Sequence, residues 1–189
     1  MSSVVIAGDT SGTITLQAPA VAGSNTLTLP AATDTFAVQS QAARQVVSTI
    51  TGAVTTGTTA IPYDDTIPQN TEGDQYMTLA ITPKSSTSKL VIDVVWVGSS
   101  SVNVQMTAAL FQDTTANALA AASSEVITGG QTMLAINFKY VMTSGTTSAT
   151  TFKVRAGGTS GTTTFNGRAG ARTLGGVNAS SIVITEIGG

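Results

Sequence analysis

The chain has 189 residues, a net charge of −2 and only 10% charged side chains, against a usual ~25%, while 41% of its residues are hydrophobic. That balance excludes a disordered chain, which is charge-rich and apolar-poor, and argues against nucleic acid as a partner, because phosphate neutralisation needs clustered Lys and Arg. It has no cysteine and no histidine, so disulfides, Cys or His metal sites and every mechanism needing an imidazole base or a thiol are excluded.

The start, Met1 to Asp9, has no basic region, and its apolar run is too short for a signal peptide. Nowhere does an apolar run reach the ~20 residues of a membrane span, since Asp93 interrupts the best stretch. No membrane partner and synthesis in a cytoplasm are therefore expected. Residues 1–38 contain a short echo, Thr13-Ile14-Thr15-Leu16 and Thr26-Leu27-Thr28-Leu29, each soon followed by a proline. Ile14 and Leu16 are expected to pair with Leu27 and Leu29 in a β-hairpin arm. An isolated hairpin is marginal in water, so the arm needs something to lie on.

Residues 39–44 read as one helical turn or a linker, and residues 45–189 as the body. Val46, Val47, Ile50 and Val54 resume the apolar pattern. Pro62 and Pro68 then bracket a loop that carries Asp64, Asp65, Glu72 and Asp74, and Tyr76 to Thr82 follows as a strand with Met77, Leu79 and Ile81 on one face. The strongest alternation lies between Lys89 and Gln112. Leu90, Ile92, Val94 and Trp96 share a core face, and Val102, Val104, Met106, Ala108 and Leu110 share another, with Asn103, Gln105, Thr107 and Ala109 expected to be wet. Gly98 to Ser101 supplies turn chemistry, which predicts an antiparallel hairpin anchored by Trp96.

Ala118 to Ala122 fits either a short strand or a helical turn. Met133 to Met142 is a strand with Leu134, Ile136, Phe138, Tyr140 and Met142 inward, predicted to pair with Thr150 to Ala156 through Thr143 to Thr146. Gly157 to Gly176 reads as a long loop with at most one strand, Thr162 to Phe165. The last strand, Ser181 to Ile187, is apolar on both sides, which suggests burial between two surfaces. About eight strands at this spacing predict an all-β fold, a jelly-roll-like antiparallel β-sandwich with an N-terminal β-hairpin arm.

Few residues offer chemistry. The acidic loop lacks the alternating ligands and central glycine of a calcium loop and reads as solvated, so neither metal nor cofactor is expected. A carboxylate pair for glycan cleavage would want stacking aromatics, and aromatics are 5% of the chain. Lys139, Lys153, Arg155, Arg168 and Arg172 make the last third mildly basic, as outward strand positions or as a patch for an acidic neighbour. Val91, Val95 and Val97, opposite the core face of their strand, and Val183 and Ile187 on the last strand form a surplus apolar face, read as a candidate interface between copies of the chain.

The stretch from Gly12 to Ala31, GTITLQAPAVAGSNTLTLPA, resembles an N-terminal segment recurrent in structural proteins of tailed bacteriophages, of the fibre and decoration type. Ile67 to Leu79, IPQNTEGDQYMTL, then SKLVI from Ser88 and the closing SSIVITEI from Ser180 are similar to a phage virion domain. The resemblance implies a non-enzymatic, β-rich homotrimer on the virion surface, made in the host cytoplasm and attached by its arm, with Ile14, Leu16, Leu27 and Leu29 as anchoring residues. Its partners would be the phage major capsid protein or another virion protein. The chain lacks a heptad run, a collagen repeat and an extended β-repeat, which favours a capsid decoration or cement protein over a fibre. The alternative is a short tail-fibre or fibre-tip protein binding a host-surface glycan, for which Trp96, Tyr63, Tyr76 or Tyr140 would have to be exposed.

Overall fold

The computed structural model describes residues 3–7, 13–17, 43–126 and 131–188. It divides into two compact units, Met1–Phe36 and Ala37–Gly189. In the first, β1 (Ser3–Ala7) pairs antiparallel with β2 (Thr13–Gln17), with Val4 opposite Leu16 and Ile6 opposite Ile14. The expected partner of β2, Thr26 to Leu29, lies outside the described residues.

The second unit begins with β3 (Ala43–Thr51), so Ala43 and Arg44 belong to a strand rather than to the connecting segment expected over 39–44. There follow β4 (Thr55–Gly57), β5 (Asp74–Ile81), β6 (Lys89–Ser100), β7 (Gln105–Gln112) and β8 (Ala120–Glu125), the last resolving the ambiguous alanine stretch as a strand. β9 (Leu134–Thr143), β10 (Thr150–Gly158), the short β11 (Thr163–Phe165), β12 (Gly167–Arg168) and β13 (Ala171–Arg172), and β14 (Ser180–Ile187) complete it.

The long strands pair as a folded ribbon. The first joins the last, β3 with β14; then β5 joins β10, β6 joins β9 and β7 joins β8, every pair antiparallel. β14 beside β6 and β10 beside β7 stitch these pairs into two sheets, one built on β3-β14-β6-β9 and the other on β5-β10-β7-β8. Two sheets built from such a ribbon are a jelly roll, the expected architecture.

Two local pairings differ from expectation. β6 and β7 lie in different sheets, and so do β9 and β10. Each sequence does carry a hairpin signature, two alternating runs around a short polar turn. The deciding constraint is edge occupancy: β14 and β9 both pair along β6, and β5 and β7 both pair along β10, so neither strand has an edge left for its neighbour in sequence.

The inward faces make one core that includes Met77, Ile81, Leu90, Ile92, Val94, Trp96, Met106, Leu110, Ile136, Phe152, Val154, Ile182 and Ile184. Trp96 is fully buried and lies 6.2 Å from the Phe165 ring and 6.3 Å from Tyr76, while Tyr76 stacks on Phe165 at 4.9 Å. A side-chain carbon on Gly98 would sit 2.4 Å from the Trp96 ring, so the indole requires glycine there.

The face of β7 expected to be wet is buried at Thr107 and Ala109, and so is Phe111 on the same side. The cover is the segment 61–73. Buried Ile61 donates its N–H to Gly158 O at 3.2 Å, Asn70 N–H reaches Ala116 O at 2.7 Å, and Ala118 N–H reaches Pro68 O at 2.9 Å. Arg155 clamps the far end, donating from Nε to Glu72 O at 2.8 Å and from Nη2 to Gly73 O at 2.6 Å.

Two buried polar groups close the sandwich. Asn166, in the left-handed region at φ 52°, donates to Thr51 O and Ala53 O at 2.7 and 3.1 Å and accepts from Ser180 Oγ at 2.7 Å. Glu186 is the only charged side chain among the described residues that is fully buried. Gln45 Nε2 donates to it at 2.6 Å, and the backbone N–H groups of Lys84 and Ser85 at 2.8 and 3.3 Å. Burial opposes its charge. The facing Ser88 hydroxyl, which has no well-directed hydrogen bond, together with Gln45 and the two N–H groups outweighs that and holds the carboxyl below its ordinary value.

A carboxyl depressed on folding contributes stability above its unfolded pKa of 4.5 and loses it as pH falls through the lower folded value. Glu186→Gln is therefore expected to lower stability by about 2 kcal/mol at pH 7, by weakening charge-assisted hydrogen bonds. The gap from the wild type should narrow at pH 3. Thermal melts of both proteins at pH 7, 5 and 3 check this; parallel curves would show that the carboxylate makes no such contribution.

Candidate functional site

Alternation along the strands of the larger sheet leaves one row of side chains outward on each. Strand register aligns these rows across β3, β14, β6 and β9: Val46, Thr185, Val91 and Val141 in one line, Ser48, Val183, Asp93 and Lys139 in the next, and Ile50, Ser181, Val95 and Asn137 in a third. Val97 opposite Ala135 continues one end of the face, and Ile187 opposite Lys89 and Ala43 the other. Val91, Val95, Val97, Val183 and Ile187, singled out in the sequence, thus share this face and are half-buried. The last strand is buried on one side only, at Ile182 and Ile184, not on both.

Three more apolar residues of this face were not identified from sequence: Val46, 59% exposed, Ile50, 70%, and Val141, 54%. Parity carried the signal. Val46 and Ile50 are in step with Ser48, and Val141 with Asn137 and Lys139, which alternation places outward. Two of the charges on the face form a pair, Lys139 Nζ to Asp93 Oδ1 at 3.0 Å, both well exposed, so the pair adds little stability, and Lys89 donates to Thr143 Oγ1 at 2.7 Å.

In the arm, Ile14 and Leu16 lie on β2 opposite Ile6 and Val4. Leu27 and Leu29 lie outside the described residues. In the acidic loop, each of three carboxylates has a local partner. Asp64 accepts from Thr66 N–H at 2.8 Å, Glu72 from Gln69 N–H at 2.9 Å, and Asp74 from Thr59 N–H and hydroxyl, both at 2.9 Å. Among the described residues, no three acidic side chains gather where a metal ion could be held. Of the basic side chains, Lys153 donates to Asp113 O at 2.7 Å and Arg155 to the loop above it, whereas Arg168 and Arg172 lie exposed on the β12–β13 hairpin. Trp96 is buried, Tyr76 and Tyr140 pack against the core, and Tyr63 is exposed. No helix among the described residues is long and apolar enough to cross a membrane.

No protein-family model matches the chain, and no curated protein matches it. Solved structures similar to it include a chain of the Gt strain of infectious bursal disease virus, 14% identical with a TM-score of 0.39 over 98% of this chain and 47% of that one. Others are a chain of the T13 particle of the same virus, at 15% identity and 0.36 over 93% and 41%, and dimeric latent PorU from Porphyromonas gingivalis, at 8% and 0.37 over 78% and 14%. The chain spans less than half the length of each. Likenesses at this level define no family and carry no argument about function.

Asp64, Glu72 and Asp74 are engaged by nearby backbone N–H groups and hydroxyls, so EDTA is expected to leave the melting temperature unchanged. A fall of several degrees, reversed by Ca²⁺, would overturn this, since an ion bound only by the native state stabilises it.

Proposed function

We propose that this protein is a non-enzymatic structural component of a tailed-bacteriophage virion: a homotrimeric capsid decoration or cement protein at the virion surface. Its jelly-roll bodies meet along the outward face of β3-β14-β6-β9. Its arm, residues 1–38 with Ile14, Leu16, Leu27 and Leu29, docks on the major capsid protein or another virion protein. The observation that carries the self-association is the apolar outward face, where Val46, Ile50 and Val141 stand in water beside Val91, Val95 and Val183. The fold does not need them there, because each sheet already buries its other face in the core. Several exposed apolar side chains on one sheet face, here interspersed with Ser48, Ser181, Thr185 and the Asp93–Lys139 pair, mark an association surface.

A cyclic trimer brings three copies of one face around an axis and gathers three arms at one end, which multiplies weak anchoring contacts. The number three and the virion setting rest on the resemblance of the Gly12–Ala31, Ile67–Leu79 and Ser180–Ile187 stretches to phage structural proteins. The non-enzymatic reading is supported by the missing imidazole and thiol and by the local engagement of Asp64, Glu72 and Asp74. A second reading, a short tail-fibre or fibre-tip protein binding a host-surface glycan, is favoured by the exposure of Tyr63.

At micromolar concentration the wild type should sediment at three times its 19.0 kDa chain mass. Ile50→Asp and Val141→Asp, at exposed positions, should keep a folded monomer yet weaken association at least a hundredfold, because a carboxylate desolvated without a partner is costly. A monomeric wild type, or trimers unchanged in both variants, would refute the interface. Labelling the protein on intact virions would separate a head from a tail location.

A further inference from the structure

The segment that covers the second sheet leaves a groove at its edge. Pro62, Tyr63, Asp64, Thr66 and Pro68 form one wall, and Thr107, Ala121, Ala122 and Ser123 of β7 and β8 form the floor, around a volume of about 170 Å³. A second depression of about 400 Å³ adjoins it along Asp64, Thr66, Pro68 and Ala121. Thr107 stands opposite Ser123 in the strand register, so two hydroxyl-bearing residues are side by side on the floor. Thr107 is only 6% exposed. Tyr63, 61% exposed, is the one exposed aromatic ring among the described residues.

We propose that this groove binds a neutral sugar ring, with Tyr63 as its stacking surface and Asp64, Thr107 and Ser123 as its hydrogen-bonding groups. A pyranose offers an apolar face of C–H bonds inside a rim of hydroxyls, and the lining matches both. Tyr63, Pro62 and Pro68 supply apolar contact, while Asp64 and the two floor residues supply acceptors and donors. The charge pattern selects against other ligands. No cationic side chain lines either depression, so a phosphate or sulfate would meet only the Asp64 and Asp65 carboxylates. A metal ion would find no gathered set of acidic ligands among the described residues.

Asp64 is preset for this role. The Thr66 hydroxyl and N–H both bond its Oδ1, which holds the carboxyl below its ordinary value and ionised at neutral pH. Those bonds use one oxygen, and Oδ2 remains for a sugar hydroxyl, a charge-assisted bond stronger than a neutral one. The adjoining depression would take the next ring of a chain. Binding here does not depend on the virion role, because it concerns a groove within one body and is read on the isolated protein.

The test is saturation-transfer NMR on the full chain with the methyl glycosides of glucose, galactose, mannose and N-acetylglucosamine, followed by titration of those that respond. At least one is expected to bind with a Kd of about 1–10 mM, as suits an open site. Tyr63→Ala should weaken it at least tenfold and Thr107→Val about threefold. Both variants should melt within a few degrees of the wild type, Tyr63 because it is exposed and Thr107 because valine keeps its shape. No transfer to any of the four glycosides, or wild-type affinity in Tyr63→Ala, would overturn the proposal.

Discussion

Filled strand edges govern this structure. A strand has two hydrogen-bonding edges, and in the centre of each sheet both are used, on β6 by β14 and β9 and on β10 by β5 and β7. Once those four pairings exist, the segments after β6 and after β9 must cross to the other sheet. The inward faces then meet across the sandwich, Trp96 and Ile92 from one side and Met106, Leu110 and Phe152 from the other. The ribbon closes at Asn166, whose amide and carbonyl link the end of β3, the following turn and the start of β14. Replacing Asn166 would leave the buried Ser180 hydroxyl without this partner and take the amide donor from the Thr51 and Ala53 carbonyls, so three bonds are lost at once.

Facing was legible in the sequence, whereas pairing was not. Leu90 to Trp96, Phe152 with Val154, and Ile182 with Ile184 point inward as period two requires, because side-chain direction is fixed within a strand. Which strand lies beside which depends on edges filled by residues far away in the chain, as when β3 pairs with β14. A local turn such as Gly98 to Ser101 looks the same whether the chain turns back in one sheet or crosses to the other. Thr107 and Ala109 were misread for a related reason: their polarity and size suit a wet face, and only the folded path of residues 61–73 reveals the cover.

The candidate surfaces divide the same way. Val91, Val95, Val97, Val183 and Ile187 were recognisable as a surplus face from alternation alone, and Val46, Ile50 and Val141 follow from the same parity rule. The groove beside Tyr63 had no such signature. It arises where a loop lies on two strands, and its floor residues, Thr107 and Ser123, are 16 positions apart in sequence yet adjacent through the β7–β8 register.

The two sheets treat their outer faces differently. Over β7 the chain supplies its own cover, fastened by Arg155 at one end and by the Asn70 and Ala118 hydrogen bonds at the other, and Ala109 and Phe111 beneath it are buried while Thr107 borders the groove. Over β3, β14, β6 and β9 the outward residues are a mixture of apolar and polar side chains without such a cover, and Val46, Ile50 and Val141 remain more than half exposed. Solvation alone would favour polar residues at those positions. Covering one face commits thirteen residues, 61–73, and ordering them carries an entropic cost that the open face of β3, β14, β6 and β9 does not incur.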